Sequence, residues 1–500
     1  MRITIVLTTF KRWWPSYLVT VLITFLLLNA PAFAQLTSGN ITGTVYDPAG
    51  GTVPNATVVA KNNATTVENT TTSTGAGEYR FDNLPVGSYT LTVNAAGFAK
   101  AEIANLAVQL NQTVTTNFTL QIGQTSATVE VTAATASIDT TTAQLQTSFE
   151  SKQMEDLPSA SGGQANSGVL NLSLLAPGVT SSGGLGYGMG PSVGGQRPTN
   201  NNFTIEGIDN NLLSVTGPAV TVPNDAVAEF SVLQNQFSPD FGHSSGGQFN
   251  QVVKSGTNDF HGMLYEYFEN RDLNAADNLN FVEGNPLHPR FDNNRFGGNF
   301  GGPIRHNKLF FFVDYEYQPI GQTASTYYYA PTAAGYATLA ALPGINSNNL
   351  AQFKKYLGAA TATNGPTIQV APGPGSVEFL GTGVFAPGAS GGISIPTGQV
   401  SFALPNYINN ELGVGSIDYT ISDKDSLRGR FILNRTGTID TSGFPAVFFG
   451  VLPTNAYIAT LSEYHTFTPT LVNEFRAGYN RFLTRLPVFG NQSFPGLDSF

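Results

Sequence analysis

From residue 260 onward, apolar and polar positions alternate with a period of two, which is typical of strands with one apolar and one polar face. Residues 308–317 read KLFFFVDYEY. The apolar positions of this stretch share one face: Phe311, Val313, Tyr315 and Tyr317. Asp314 and Glu316 occupy the opposite face. The pattern predicts a strand whose apolar side chains point outward and whose carboxylates point inward.

Other stretches repeat this alternation. In residues 261–270 it places Met263, Tyr265 and Tyr267 on the apolar face and Glu266 on the polar one. Two hairpins follow, with strands at 417–421 and 427–433, and at 457–467 and 471–482. A soluble sandwich gives similar alternation, but aromatic density beside charged inner faces favours a transmembrane antiparallel β-barrel in outer-membrane lipid. Residues 270–292 and 323–400 are too long for turns and suit extracellular loops.

The N-terminal third has a different pattern, in which short β-branched and aromatic runs alternate with Gly- and Pro-containing turns. This spacing predicts a β-sandwich over residues 40–122. Its strands are expected at 41–46, 56–61, 79–81, 88–93 and 114–120. Residues 123–147 are rich in Thr, Ala and Ser and predict a linker. Residues 148–258 are mixed, with a helical turn expected at 151–157 and a Gly-rich loop at 183–198.

Composition narrows the possible functions. Only 11% of the residues are charged, and the net charge is −10, so nucleic acid is not expected as a partner. The chain has no cysteine, which excludes a disulfide scaffold. Its five histidines are scattered without metal-ligand spacing, so no cofactor or metal site is predicted.

The first 34 residues indicate export. Arg2, Lys11 and Arg12 precede an apolar run at 18–28, and residues 32–34 read AFA. A retained membrane anchor is the alternative, but the apolar run is shorter than the ~20 residues that a spanning helix needs. We therefore predict a signal peptide over residues 1–34.

Residues 242–246 read GHSSG, which matches the G-x-S-x-G pattern of a serine hydrolase. A nucleophile elbow requires a helix immediately after the serine. The residues after Ser244 instead form a strand-like run, 246–253, so we expect no enzymatic activity. Glycines here would allow a backbone to pass close to a barrel wall.

Two family resemblances extend this interpretation. Residues 77–89, with the spacing G-x-Y-x-F-x-x-L-x-x-G-x-Y, resemble the carboxypeptidase regulatory-like domain, a carbohydrate-binding-like sandwich. That resemblance implies a binding or spacing module, not a peptidase. Residues 205–210 (IEGIDN), 228–232 and 241–252 resemble the plug domain of TonB-dependent outer-membrane receptors of the Oar-like group. Residues 291–318 resemble the first barrel strands of the same group.

The second resemblance implies specific residues and partners. The plug motif corresponds to Gly207, Asp209, Gly242, Gly246, Gly247 and Asn250. A TonB box, which adds as a strand to a periplasmic energy-coupling protein, would lie at Val129, Glu130, Val131, Thr132 and Ala133. The same stretch also suits a linker or a last sandwich strand. Candidate contacts to an extracellular substrate are Arg197, Asn200, Asn201 and Asn202.

These expectations describe a mainly β protein: a sandwich (40–122), an α+β plug (148–258) and part of a transmembrane barrel (259–500). A plug of this size needs a barrel of the order of 22 strands, so the chain is expected to be part of a longer protein. The expected function is energised uptake of a glycan, peptide or iron chelate across the outer membrane. A cell-surface carbohydrate-binding or adhesion protein is the alternative.

Overall fold

The computed structural model contains three β-rich parts in chain order. It describes residues 37–485 except 124–127, 131–142, 158–167, 182–189, 213–216, 236, 238–240, 243, 277, 279–281, 283–287, 289, 343–344, 366–367, 371–392, 441–449 and 469–470. The predicted signal peptide, residues 1–34, lies outside the described residues.

The first part, here called the N-terminal module, is built from two sheets that enclose an apolar core. Its strands are β1 (Gly39–Tyr46), β2 (Thr57–Asn62), β3 (Glu68–Thr72), β4 (Glu78–Leu84), β5 (Gly87–Asn94), β6 (Lys100–Val108), β7 (Thr113–Thr115), β8 (Phe118–Thr119) and β9 (Thr128–Glu130). One sheet has the order β4-β1-β7, with β8 also paired to β1, and the other has the order β3-β2-β5-β6-β9. Tyr89, Phe118 and Ile103 are fully buried between them. Strands β3 and β6 were not predicted.

The second part, here called the inner domain, comprises the described residues of 145–253. Its strands are β10 (Leu145–Glu150), β11 (Val179–Thr180), β12 (Ser192–Val193), β13 (Asn202–Ile205), β14 (Ile208–Asp209), β15 (Val227–Asn235) and β16 (Gln248–Val253). A helix, α1 (Ser151–Asp156), confirms the predicted helical turn, and Gly168–Leu175, Pro198–Asn200 and Asn224–Ala226 are 3₁₀ helices. The main sheet has the order β10-β15-β16-β13-β14.

The third part is one antiparallel sheet, here called the barrel sheet. Its strands are β17 (His261–Asn270), β18 (Phe291–Arg305), β19 (Leu309–Pro331), β22 (Thr397–Thr420), β23 (Asp425–Asp440), β24 (Gly450–Thr468) and β25 (Leu471–Thr484). They pair in the order β17-β18-β19-β22-β23-β24-β25. Within the described residues this sheet is open, with β17 and β25 as its edges. The two predicted hairpins correspond to β22–β23 and β24–β25 and are confirmed.

The predicted apolar-out, polar-in alternation holds along most of the barrel sheet. On β19, Val313 and Tyr315 are 48% and 53% exposed, whereas Asp314 and Glu316 are buried. On β25, Phe475 and Tyr479 point outward in the same way. The sheet therefore has one apolar face and one polar face.

The predicted faces of β17 are reversed in the structure. The Tyr265 hydroxyl donates to Glu316 Oε2 at 3.1 Å, which places Tyr265 on the inward face. Leu264 points outward and is almost fully exposed. Both faces of this strand carry aromatic residues, so alternation alone did not distinguish them. Which aromatic side chains point inward is determined by their partners on other strands, such as Glu316 for Tyr265.

Connections at the two ends of the barrel sheet differ in length. At one end, residues 306–308 and 421–424 join consecutive strands in short turns, and at the other the chain makes long excursions. The excursion after β19 contains α2 (Ala333–Ala340), α3 (Ser347–Leu357), β20 (Ile368–Val370) and β21 (Ile393–Ile395). The predicted loop at 323–400 is thus shorter, because β19 and β22 extend as a paired ribbon to Pro331 and Thr397.

The inner domain packs against the inward face of the barrel sheet. A single buried apolar cluster contains inner-domain side chains, among them Phe203, Phe230 and Phe249, together with barrel-sheet side chains. The barrel-sheet members are Phe312, Val414, Ile432, Ala456 and Ile458. Burial of these groups on both sides stabilises the inner domain against the sheet.

Replacing Gly43 on β1 tests the packing of the N-terminal module. A Cβ at this position would overlap the Thr116 carbonyl and lie 2.8 Å from the Tyr79 hydroxyl. We expect Gly43→Ala to destabilise the module by about 3 kcal/mol, because the Thr116 backbone is hydrogen-bonded to β1 at Thr42 and Tyr79 belongs to the packed strand β4. Hydrogen exchange of amides in β1 and β5 measures this loss. Gly75→Ala is the matched control, since no atom lies within 4 Å of its added Cβ.

Candidate functional site at the inner domain

The turn between β13 and β14 presents a strained acidic residue to the barrel sheet. Glu206 and Gly207 have φ values of 52° and 68°, and Ile205 pairs with Ile208 across the turn. Two positive φ values in a two-residue hairpin loop are typical of a type I′ turn. Glycine tolerates this conformation, but a glutamate there costs on the order of 1 kcal/mol or more. Glu206 is therefore held in place by its contacts.

Those contacts join the inner domain to the barrel sheet. Glu206 Oε1 accepts a hydrogen bond from the Val253 backbone N at 2.8 Å and lies 3.5 Å from Arg430 Nε. Arg430 is buried on the inward face of β23, and its Nη2 donates to Asp418 Oδ1 at 2.9 Å. The Ser255 hydroxyl also donates to Asp418. A buried arginine thus bridges carboxylates from the inner domain and from the barrel sheet.

A second polar cluster lies near β17 and β18. Arg295 is placed over the ring of Tyr267, 4.2 Å from its centroid, and its Nε lies 3.6 Å from Glu316 Oε2. Asp225 of the inner domain faces this cluster. Burial raises the pKa of Asp225, while the positive charges of Arg295 and Lys254 oppose that rise. This polar surface therefore joins the inner domain to the sheet at a second place.

A third contact involves the edge strand β25. A Cβ on Gly478 would collide with the side chain of Ile208, so the absence of a side chain lets Ile208 reach the wall. Beside it, Asn480 Nδ2 donates to the Asp209 backbone carbonyl at 2.6 Å. The predicted motif residues Gly207 and Asp209 accordingly lie at the inner-domain surface that faces the barrel sheet.

The other predicted motif glycines lie elsewhere. A Cβ on Gly246 would come within 2.8 Å of the Asn200 carbonyl, and one on Gly247 within 2.9 Å of Val193. These glycines permit close packing inside the inner domain, not against the barrel wall as predicted. Among the described glycines, Gly256 does approach the wall: its added Cβ would collide with backbone oxygens of β18 and β19. Sequence reasoning did not single it out.

The remaining motif residues are held by local hydrogen bonds. Asn250 Oδ1 accepts from the Thr204 hydroxyl at 2.6 Å, and the Gly242 carbonyl accepts from Gln248 Nε2 at 3.1 Å. The Ser244 hydroxyl donates to the Asn200 carbonyl at 2.5 Å. Strand β16 follows Ser244, as predicted, where a nucleophile elbow requires a helix.

The four candidate substrate residues separate into two groups. Asn201 and Asn202 are buried, and their side-chain amides donate to the Pro191 carbonyl at 2.8 Å and to Gln248 Oε1 at 2.7 Å. These two side chains are therefore committed to internal packing. Arg197 is exposed, and Asn200 is partly exposed. A role in substrate contact remains a prediction for these two.

The candidate TonB box lies partly within the described residues. Val129 and Glu130 belong to β9, which pairs in parallel with β6 at the edge of the N-terminal module. Val131, Thr132 and Ala133 lie outside the described residues. The interpretation of this stretch as a last strand of the module thus agrees with the backbone pairing at 128–130, and its role as a box stays a prediction.

One group of side chains has the composition of a metal site. Ligand atoms of Asp425, Glu463 and His465 lie within 4.8 Å of one another. His465 Nδ1 is 2.5 Å from Asp425 Oδ1, so these two already satisfy each other as a hydrogen-bonded pair. Sequence spacing could not reveal this group, because cross-strand pairing of β23 and β24 brings together residues 40 positions apart.

Comparison with known families accounts for two of the three parts. Residues 252–500 match the outer membrane beta barrel domain, and residues 40–121 match the carboxypeptidase regulatory-like domain. The TonB-dependent transporter Oar of Myxococcus xanthus is 28% identical over 302 residues, which cover 58% of this chain. The chain is a homologue of this TonB-dependent transporter. It is located in the outer membrane, as the barrel domain and this relative indicate.

The chain spans 27% of the length of the Myxococcus Oar protein. Solved structures similar to this Oar homologue include the outer membrane transporter YddB of Escherichia coli, with 14% identity and a TM-score of 0.42. That match covers 67% of this chain and 38% of YddB. The siderophore receptor PirA of Acinetobacter baumannii has 14% identity and a TM-score of 0.41, covering 71% and 42% of the two chains.

The helices in the described part of the chain are short. Within the described ranges, none has the length and apolar character needed to cross a membrane.

Replacing Arg430 tests the connection between the inner domain and the barrel sheet. We expect Arg430→Ala to weaken inner-domain docking by about 3–5 kcal/mol, because the buried Glu206 and the partly buried Asp418 would lose their counter-charge. The urea concentration at which the inner domain becomes protease-sensitive measures the loss. Arg435→Ala, on the same strand but in an exposed pair with Glu411, should change docking by less than about 1 kcal/mol. Equal effects of the two substitutions would contradict this account.

Proposed function

We propose that the chain acts in TonB-dependent uptake through the outer membrane, with the inner domain as its plug. The observation that carries this proposal is the buried Arg430, which pairs with Glu206 of the inner domain and Asp418 of the barrel sheet. Such a cluster fixes a domain against the inward face of a membrane wall. Separating Arg430 from these carboxylates is costly, because it leaves buried charges unpaired. The inner domain is therefore retained until all of these contacts are replaced at the same time.

The proposed direction of uptake follows from the ends of the barrel sheet. In outer-membrane barrels, short turns face the periplasm and longer loops face the exterior. We therefore propose that the turn at 421–424 faces the periplasm and that the excursion with α2 and α3 faces the exterior. Arg197 and Asn200, together with the exterior loops, are the proposed contacts for a glycan, peptide or iron chelate.

The proposed energy source is a TonB-type periplasmic protein. The candidate box, Val129 to Ala133, lies in the segment between the N-terminal module and β10. Strand β10 is an edge strand of the main sheet of the inner domain, and among the described strands it pairs only with β15. A pull on the box therefore acts first on β10. We propose that this displaces the plug and opens a path, and no covalent reaction is involved.

Proline substitution tests the proposed box. Val131→Pro removes one backbone donor and opposes strand addition. We expect binding to the purified periplasmic domain of the host's TonB-type protein to weaken roughly tenfold, the equivalent of one lost backbone hydrogen bond. Binding is measured by calorimetry with the full-length receptor in detergent.

Thr140→Pro, in the same segment but outside the box, is the control and should bind normally. Unchanged binding of Val131→Pro would place the box elsewhere. Absence of binding by the unsubstituted receptor would contradict the proposed partner and favour a surface carbohydrate-binding or adhesion protein.

A further inference from the structure

The N-terminal module makes a specific contact with the inner domain. The Leu110 backbone N–H donates to both carboxylate oxygens of Glu229, at 2.9 and 3.0 Å. On the neighbouring strand, Gln146 Nε2 donates to the Leu110 carbonyl at 2.7 Å. Both polar groups of one module residue are thus satisfied by the inner domain. Glu229 is 2% exposed, so the contact is enclosed.

The module also contacts the base of the barrel sheet at a separate place. The Asn258 backbone N donates to the Ala64 carbonyl at 3.1 Å, and Asn258 Nδ2 donates to the Thr66 hydroxyl at 2.7 Å. Thr66 in turn donates to Asn307 Oδ1 at 2.5 Å, in the short turn between β18 and β19. The module is therefore docked at the end of the sheet that carries the short turns.

A cavity separates the module from the parts that it covers. Its volume is about 620 Å³, and its lining includes Tyr89 of the module, Glu229 of the inner domain and Arg428 of the barrel sheet. Arg428 Nη2 crosses to the Asn83 carbonyl at 3.3 Å. Docking is thus made by discrete polar contacts around a cavity, unlike the continuous apolar packing between the inner domain and the sheet.

Glu229 makes this docking sensitive to protonation. Burial raises the pKa of Glu229 to about 7, and the nearby charge of Glu150 acts in the same direction. The Leu110 N–H and the Ser148 hydroxyl oppose the rise. Glu150 is the residue opposite Glu229 on β10, and among the described residues it is the charged group that acts on Glu229.

We propose that the N-terminal module is a detachable cap over the short-turn mouth of the barrel sheet, with Glu229 as its latch. The docked cap covers part of the inner domain's surface around Glu229 and Gln146, so any partner or cargo that uses this surface requires undocking. The inference depends on the contacts just described and not on transport.

The direction of the pH effect follows from proton linkage. Glu229 has a pKa of about 7 in the docked state and an ordinary value near 4.5 when exposed, so docking takes up a proton. The stabilisation from this group is complete below the exposed pKa and is lost as pH rises through 7. We expect the docking equilibrium to weaken about tenfold per pH unit between roughly 5 and 7.

Hydrogen exchange of two interdomain amides tests the cap. In the full-length receptor in detergent, we expect protection of the Leu110 and Asn258 amides, corrected for intrinsic exchange, to fall together over this pH range. Amides of β5, inside the module, serve as the internal reference and should retain their protection. Loss of protection at Leu110 alone would mean that one loop opens locally, which would overturn the cap.

Glu229→Gln isolates the latch, because the neutral amide oxygen still accepts from Leu110 but does not titrate. We expect both interdomain amides of this variant to show pH-independent protection. Glu150→Gln, at the residue opposite, is the matched control and should retain the pH dependence. A Glu229→Gln receptor that responds to pH like the unsubstituted protein would refute the latch.

Discussion

The barrel sheet has two faces that require different surroundings, and the rest of the structure depends on this difference. Its outward aromatic and aliphatic side chains suit lipid, whereas its inward face carries Asp314, Glu316 and Arg430. These inward groups are buried in the structure because the inner domain covers them. Charged groups taken out of water require close partners. The inner domain supplies Glu206 to Arg430, whereas Glu316 is paired within the sheet, with Arg295 and Tyr265. The inner domain also contributes the apolar side chains that complete the shared core.

Attachment to the sheet and attachment to the module differ in physical character. The inner domain shares an apolar cluster with the sheet and is fixed by a buried arginine, so separation exposes both apolar and charged groups. The N-terminal module is held by a few hydrogen bonds around a cavity. A weaker, titratable contact therefore lies at the short-turn end of the sheet, next to a stronger one. This order allows the module to move while the inner domain stays in place.

Sequence patterns predicted elements whose determinants are local. Strands with apolar and charged residues in strict alternation, such as β19, were assigned to the correct faces. Strand β17 was reversed because aromatic residues occupy both of its faces, and the Tyr265–Glu316 hydrogen bond depends on a distant strand. Strands β3 and β6 were missed because their residues, ENTTT and KAEIANLAV, are polar or rich in alanine and carry little β pattern.

The candidate site was less predictable from the sequence, because its contacts join residues that are far apart in the chain. The IEGID turn was recognised from its sequence, but its partner Arg430 lies more than 200 residues away. Glu229 resembled an ordinary polar position of a strand, and its contact with Leu110 comes from domain docking. Asn201 and Asn202 were predicted to contact substrate, whereas their amides complete internal hydrogen bonds. Interactions between parts of the fold were therefore beyond local patterns.

Envelope fractionation of the native host tests the central claim that the alternating sheet is the wall of an outer-membrane barrel. An antibody to residues 40–122 would follow the protein on gels of unheated and boiled samples. The account predicts a band in the outer membrane that requires detergent for release and changes mobility on boiling, because a closed barrel resists the detergent until heated. Release without detergent, with identical mobility before and after boiling, would contradict it.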